Sequence, residues 1–591
     1  MIGVPCPWQL FPSTPTSRKD TARLGSFEWA LTCIKTCIST HGCGSTGENG
    51  LPTRVIDISN SGSIRLVETN LGIGKYVCLS HCWGGYQPLR TTQETLQSHL
   101  KAIPWTGFPK TYQDAIVFTR FLGVKYLWID SLCIIQDDLD DWARESASMC
   151  GVYERSYLVL AATSAPNAAY GLFTQRNQGV LHMAGETTSG LPISVKAWTE
   201  FTHPDARGHD TDWARWPLLR RARVLQERLL APRVLHFASE ELFWECREQE
   251  TCECGGLRSL GKMSQKHNQA PECFGDNGIV SQWHSTVQQF TLLQMSVAAD
   301  KLPALSGLAN HMAKLRPGST YLAGLWSDSL WRDVLWLNSD ALTLELEARE
   351  SHPAAWRAPS WSWAAIDSKV VFPEGHLEQQ YFTIDDAQSR PATSDSMGRV
   401  EGGSITITGR LFPAKLSTNA SSLDPNWTLS IDNTDYVFSD GFEYDRRNVI
   451  YLDYPFDPFG LGEKSVPLFQ KLYCIRMARM HAKSHDWKHT MKDLYQLEET
   501  STEDETEDET EDETESGVEA ENRKDEMVEG DEYALVVCCL NEQKREYKRL
   551  GMAVQIRKSF LSDNVVNPSR MWRRKPSVFE EGGFQETVTL V

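Results

Sequence analysis

Tyr76-Val77-Cys78-Leu79-Ser80-His81-Cys82-Trp83-Gly84-Gly85 and Tyr126-Leu127-Trp128-Ile129-Asp130-Ser131-Leu132-Cys133-Ile134-Ile135-Gln136-Asp137-Asp138 share one pattern, an apolar run that ends in a polar cluster. Runs this short, rich in β-branched and aromatic residues and bounded by Gly or Asp, read as strands buried in a parallel sheet. Ligands of open parallel sheets collect outside the carboxyl ends of the strands, where Ser80, His81, Trp83 and Asp130 fall. Between the two runs, Thr111 and Asp114 have capping-box spacing, and Tyr112, Ala115, Ile116, Thr119 and Leu122 share a helical face. After the second run, Asp138, Asp140 and Asp141 suit a helix N-terminus, ahead of Trp142, Ser146, Met149 and Tyr153 at helical spacing. A third apolar run, Tyr157 to Ala162, completes strand, helix, strand, helix, strand. That order predicts an α/β core with a mostly parallel sheet.

These residues resemble a known family. LSHCWGG, YLWIDSLCIIQDD, DWARESASMCGVY, LVLAATSA and GLF, followed by Leu225-Gln226-Glu227-Arg228-Leu229-Leu230-Ala231-Pro232-Arg233 with VLHF and LFWEC, are similar to the fungal heterokaryon-incompatibility (HET) domain in order and spacing. DKLPALSGLA, YLAGLW and APSWSWA extend the resemblance beyond the core. It implies an effector of self/non-self recognition that triggers growth arrest or cell death through self-association or a protein partner. HET domains are in turn distantly TIR-like, and some TIR proteins cleave NAD at the nicotinamide glycosidic bond with a single glutamate. On that analogy Glu227 is the catalytic carboxylate and NAD the substrate; Trp83 supplies an aromatic wall, and Ser80 and Asp130 bind ribose hydroxyls. An inactive HET paralogue is a further alternative.

One departure bears on that assignment. The family pattern Arg-x-Trp-x-x-Gln-Glu has Arg223 at the Trp position. Four residues apart on a helix, Arg223 and Glu227 are spaced for an ion pair. The apolar face of Leu218, Ala222, Leu225 and Leu229 then leaves Glu227 on the opposite side, although Arg223 is also placed to hold a ligand phosphate.

Other chemistry is poorly supported. No Gly-x-Ser-x-Gly surrounds Ser80, Cys133 sits in an apolar run, and Gly72-Ile73-Gly74-Lys75 lacks the length and hydroxyl of a P-loop. Cys33, Cys37, His41 and Cys43 are zinc candidates, with Cys246, Cys252 and Cys254 as a second group that could share an ion. Neither group has paired C-x-x-C spacing, so inward-facing thiols are expected and no metal is favoured.

Composition fits a multidomain cytoplasmic protein. The 15 cysteines are scattered, which favours reduced thiols, and no stretch is apolar over the ~18 residues a membrane span needs. No basic flank and apolar core mark a secretory signal at the N-terminus. Residues 498–532 hold 19 acidic and 2 basic side chains, so most of the net charge of −19 belongs to one segment that repeats Thr-Glu-Asp-Glu. Such a segment cannot bury enough surface to order itself, and nothing in the remaining charge suggests nucleic-acid binding. The chain divides into a helical lead-in (1–50), the α/β domain (51–255), an irregular linker (256–285), a helical Trp-rich region (286–370) and a β-rich C-terminal domain (371–591) with a disordered acidic insert at 498–532.

Overall fold

A computed structural model describes residues 24–44, 49–60, 62–85, 89–174, 181–186, 192–197, 215–255, 278–295, 297–339, 355–373, 375–418, 427–431, 434–438, 448–452, 471–481, 531–555, 579 and 582–591. All but the last two residues of the acidic segment 498–532 lie outside these. The chain folds as two compact units, Met1–Tyr321 with Pro391–Arg399, and Leu322–Arg390 with Val400–Val591.

The first unit opens with α1 (Leu24–Thr40), β1 (Arg54–Asp57), β2 (Arg65–Glu68) and β3 (Tyr76–Ser80). There follow α2 (Gln93–Lys101), α3 (Lys110–Phe121), β4 (Tyr126–Trp128), α4 (Leu139–Glu154) and β5 (Leu158–Ala161). After a hairpin of Leu181–Glu186 with Pro192–Ala197 come α5 (Ala222–Leu230), β6 (Arg233–Phe237), β7 (Leu242–Cys246) and β8 (Glu250–Cys252), then α6 (Gly278–Thr291) and α7 (Ser306–Leu315). Eight strands form one sheet in the order β8-β7-β6-β5-β3-β4-β1-β2. The central pairs β6–β5, β5–β3 and β3–β4 are parallel, whereas β4–β1, β1–β2, β6–β7 and β7–β8 are antiparallel. The expectation of a mostly parallel sheet is therefore corrected: the sheet is mixed. Crossover helices build only the parallel centre, and short hairpin connections add antiparallel strands at both edges.

Every residue of β3, β5 and β6 is buried, including the polar Ser80 that ends β3 and Arg233 and His236 within β6. The acidic start of α4 behaves as read, because the Asp138 side chain caps it by accepting from the amides of Asp140 and Asp141 at 3.0 Å each. Thr111 and Asp114 do not form a capping box. The helix begins two residues earlier, with Pro109 at the N-cap, and their oxygens hold a neighbouring loop: Thr111 Oγ1 accepts from Gly171 N (3.0 Å) and Asp114 Oδ2 from Leu172 N (2.9 Å). Gly171 lies at φ +99°, with Asp114 Oδ2 only 2.9 Å from where a Cβ would stand, so this contact admits glycine alone.

In the second unit β9 (His376–Gln380) is followed by β10 (Val400–Thr418), β11 (Leu472–His481), β12 (Asp531–Asn541), β13 (Glu546–Gln555) and β14 (Phe584–Leu590). The pairings β10–β11–β12–β13–β14–β10 close a ring, so the C-terminal β expectation resolves as a barrel, in which β12 and β13 form a hairpin. Arg549, 1% exposed, stacks 3.4 Å above the Trp336 ring in this unit and donates to the carbonyl of Val334 at 2.7 Å. Among the described residues no helical Trp-rich body stands apart at 286–370. Helices α6 and α7 belong to the first unit, and from Leu322 the chain belongs to the second.

Candidate functional site

Strand β3 is a topological switch point. The chain runs from it to β4 on one side and then crosses to β5 on the other, opening a crevice at the carboxyl ends of the strands. Ser80 ends β3, Trp83 follows it, and Asp130 stands two residues beyond β4. A cavity of about 220 Å³ lies there, lined by His81, Trp83, Asp130, Tyr153, Arg223 and Glu227 among others. Five of the six residues singled out for the site thus line one cavity, and the sixth, Ser80, bonds to its carboxylate.

Glu227 is the centre of that arrangement. Its Oε2 accepts from Ser80 Oγ at 2.5 Å, and Tyr153 is a second hydrogen-bond partner. The residue as a whole is half-buried, but its carboxylate reaches Ser80 and Tyr153, which are 2% and 1% exposed. Burial is accordingly the largest influence on its acidity. It outweighs the Ser80 hydrogen bond and, helped by the charge of Asp130, raises Glu227 from an ordinary 4.5 to about 7, against Arg221 and Tyr153.

The ion pair expected between Arg223 and Glu227 is not formed. Arg223 Nη2 instead donates to Asp300 Oδ2 at 2.5 Å, and Asp300 also accepts from Arg399 at 2.6 Å. Nor does Glu227 point away from the protein. Helix α5 buries Val224, Leu225, Gln226 and Leu229 on a face broad enough to turn its flank into the cavity. Gln226 Oε1 accepts from Gly307 N at 3.1 Å, which fixes the rotation of the helix about its axis.

Trp83 Nε1 donates to Asp130 Oδ2 at 3.1 Å, which holds the indole against the carboxylate. His81 is 5% exposed, and its Nε2 meets Tyr112 Oη at 2.9 Å. Its Nδ1 has no hydrogen-bond partner among the described residues and lies 3.9 Å from Asp130 Oδ1. Burial lowers the His81 pKa and Arg221 adds to this against Asp130, so the imidazole is neutral at pH 7. A buried nitrogen without a partner on a cavity wall is open to a hydrogen bond from whatever fills the cavity. Sequence reasoning assigned no role to Arg221, which donates to His81 O at 2.9 Å, or to the Tyr153 hydroxyl. Tyr153 was visible as a member of a buried helical face, but nothing in periodicity says where its oxygen goes.

The cysteines divide differently from the chain order. Cys37, His41 and Cys43 meet Cys246, with one ligand atom from each lying within 4.8 Å of all the others. Cys33 is not in this group. Glu241, Cys252 and Cys254 form a separate trio.

Among the described residues no helix is long and apolar enough to cross a membrane. No curated protein and no solved structure matches the chain. The central region of the chain, residues 76–227, which runs from the switch-point strand to Glu227 itself, matches the family model described as heterokaryon incompatibility protein (HET).

Proposed function

We propose that the protein is a HET-type effector of fungal self/non-self recognition whose α/β module cleaves NAD, with growth arrest or cell death following from loss of the cofactor. The observation that carries this reading is Glu227, a carboxylate raised to about 7 and bonded to Ser80 in the crevice of a switch point. In the reaction, the bond between ribose C1′ and nicotinamide breaks and its electron pair leaves with the base, which neutralises the pyridinium ring. Positive charge passes to the ribose, where the Glu227 carboxylate stabilises it. Water then adds to C1′ and releases a proton, giving ADP-ribose. Trp83 offers a flat wall for the base, Asp130 and the free Nδ1 of His81 face the ribose, and Ser80 holds the carboxylate in position.

The test is nicotinamide release by the full chain beside Glu227→Gln, at protein concentrations high enough for assembly. Release by the parent and not by the variant supports the enzyme; no release from folded protein sinks it. The second reading is a module that acts by self-association or by binding a protein partner, without chemistry. It is favoured by Leu71 and Ile73, which are 79% and 71% exposed on the approach to β3. On that reading Leu71→Asp with Ile73→Asp abolishes assembly and toxicity, while Glu227→Gln retains both.

A further inference from the structure

We propose that Cys37, His41, Cys43 and Cys246 form a structural zinc site that fastens the N-terminal helix to the edge hairpin of the sheet. The four come from places that nothing else in the sequence relates. Cys37 lies near the end of α1. The next turn, closed by His41 N donating to Cys37 O at 3.2 Å, brings His41 and then Cys43 around the same point. Cys246 ends β7, about two hundred residues later, where the chain turns into β8.

Three independent features fit a tetrahedral ion. The first is spacing. Zn–S bonds of ~2.3 Å and Zn–N bonds of ~2.0 Å set the edges of a tetrahedron at roughly 3.5–3.8 Å. All four ligand atoms lie within 4.8 Å of one another, and Cys246 Sγ is 3.4 Å from His41 Nδ1. The second is burial: Cys37, Cys43 and Cys246 are each 0% exposed, so solvent is excluded from three sides and the half-buried imidazole closes the fourth.

The third is the environment of the sulfurs. Cys246 Sγ accepts from Gln249 N at 3.2 Å and also from the Glu248 amide, and the Arg247 amide is bonded to Cys43. Backbone N–H groups aimed at sulfur are the outer shell that a metal-bound thiolate needs. Three thiolates and a neutral imidazole around Zn²⁺ carry one net negative charge, and the guanidinium groups of Arg233 and Arg247 lie close enough to act on these sulfurs. The donor set, three sulfurs and one nitrogen with no open position, is that of a structural zinc and not a catalytic one. Glu241, Cys252 and Cys254 offer only three ligands, with the two sulfurs 3.2 Å apart, and serve as the internal control.

The full chain, expressed with zinc and desalted, is expected to hold one zinc per molecule by elemental analysis. Cys246→Ser should lower this more than tenfold, and Cys252→Ser should leave it unchanged. If Cys246→Ser does not fold, cobalt exchanged into the parent decides the matter without a variant. A tetrahedral cobalt spectrum with a thiolate charge-transfer band, and X-ray absorption showing three sulfurs and one nitrogen, sustain the site. The proposal is overturned by a chain that binds neither metal with its thiols reduced, by a disulfide among these cysteines in the freshly isolated protein, or by zinc that persists in folded Cys246→Ser.

Discussion

Replacing Glu227 by Gln should make the protein more stable, and increasingly so as the pH rises. A carboxyl raised from 4.5 to about 7 binds its proton more tightly in the folded state than in the unfolded one. Stability from this group is therefore fully present below about pH 4.5 and falls as the pH climbs through 7. At ~1.4 kcal/mol for each tenfold change, the loss reaches ~3 kcal/mol by pH 8 to 8.5. Gln is nearly the shape of a protonated Glu; its oxygen can accept from Ser80, and its amide nitrogen can donate to the Tyr153 hydroxyl. The two proteins should melt together near pH 5. At pH 8.5 the variant should melt higher by about 6 °C, taking ~2 °C per kcal/mol for a unit of this size. Thermal melts of the full chain across pH 5 to 8.5, followed on the transition of the first unit, read this directly. A variant that gains nothing with pH, or is less stable at pH 8.5, would show that Glu227 is not held against its charge. The main physical argument for its chemistry would then fail.

Ser80→Ala removes the principal hydrogen bond that favours the Glu227 carboxylate, so the rising limb of nicotinamide release should move to higher pH and activity at pH 7 should fall about tenfold. An unchanged pH profile would mean that Ser80 does not act through Glu227. Arg54→Met should destabilise the first unit by up to about 3 kcal/mol at pH 7, since it removes the buried partner of Asp141 and leaves that carboxylate, whose side chain is 2% exposed, to Arg144 and the Ile135 amide. Burial alone would raise Asp141, but its hydrogen bond from Arg54 and that from the Ile135 amide hold it below the usual range. The stability it supplies is present above ~4 and lost as pH falls through its lowered folded value. Melts of the variant should therefore approach those of the parent in acid.

What could be read from the chain was whatever a short range encodes. The buried runs Tyr76–Leu79 and Leu158–Ala161 are apolar throughout because the parallel centre of the sheet is covered on both faces, and the polar cluster that begins at Ser80 had to fall at a strand end. From that alone Ser80, His81, Trp83 and Asp130 belonged in one crevice. The edges of the sheet were not legible, because β1, β2, β7 and β8 join by hairpin geometry that a βαβ reading does not contain. The orientation of Glu227 was misread for a similar reason. Helical spacing offered Arg223 as its nearest partner, but a surface pair of that kind is worth only a few tenths of a kcal/mol. The pair Arg223–Asp300, with Asp300 buried and also bonded to Arg399, wins that competition through residues far along the chain. Freed of Arg223, Glu227 meets Ser80, and the same long-range packing brings Cys246 to Cys37, His41 and Cys43. In both places the chemistry depends on a residue from the 222–246 stretch meeting an element laid down about 150 to 200 residues earlier. Periodicity has no access to such pairings, and sequence motifs mark them only as isolated letters.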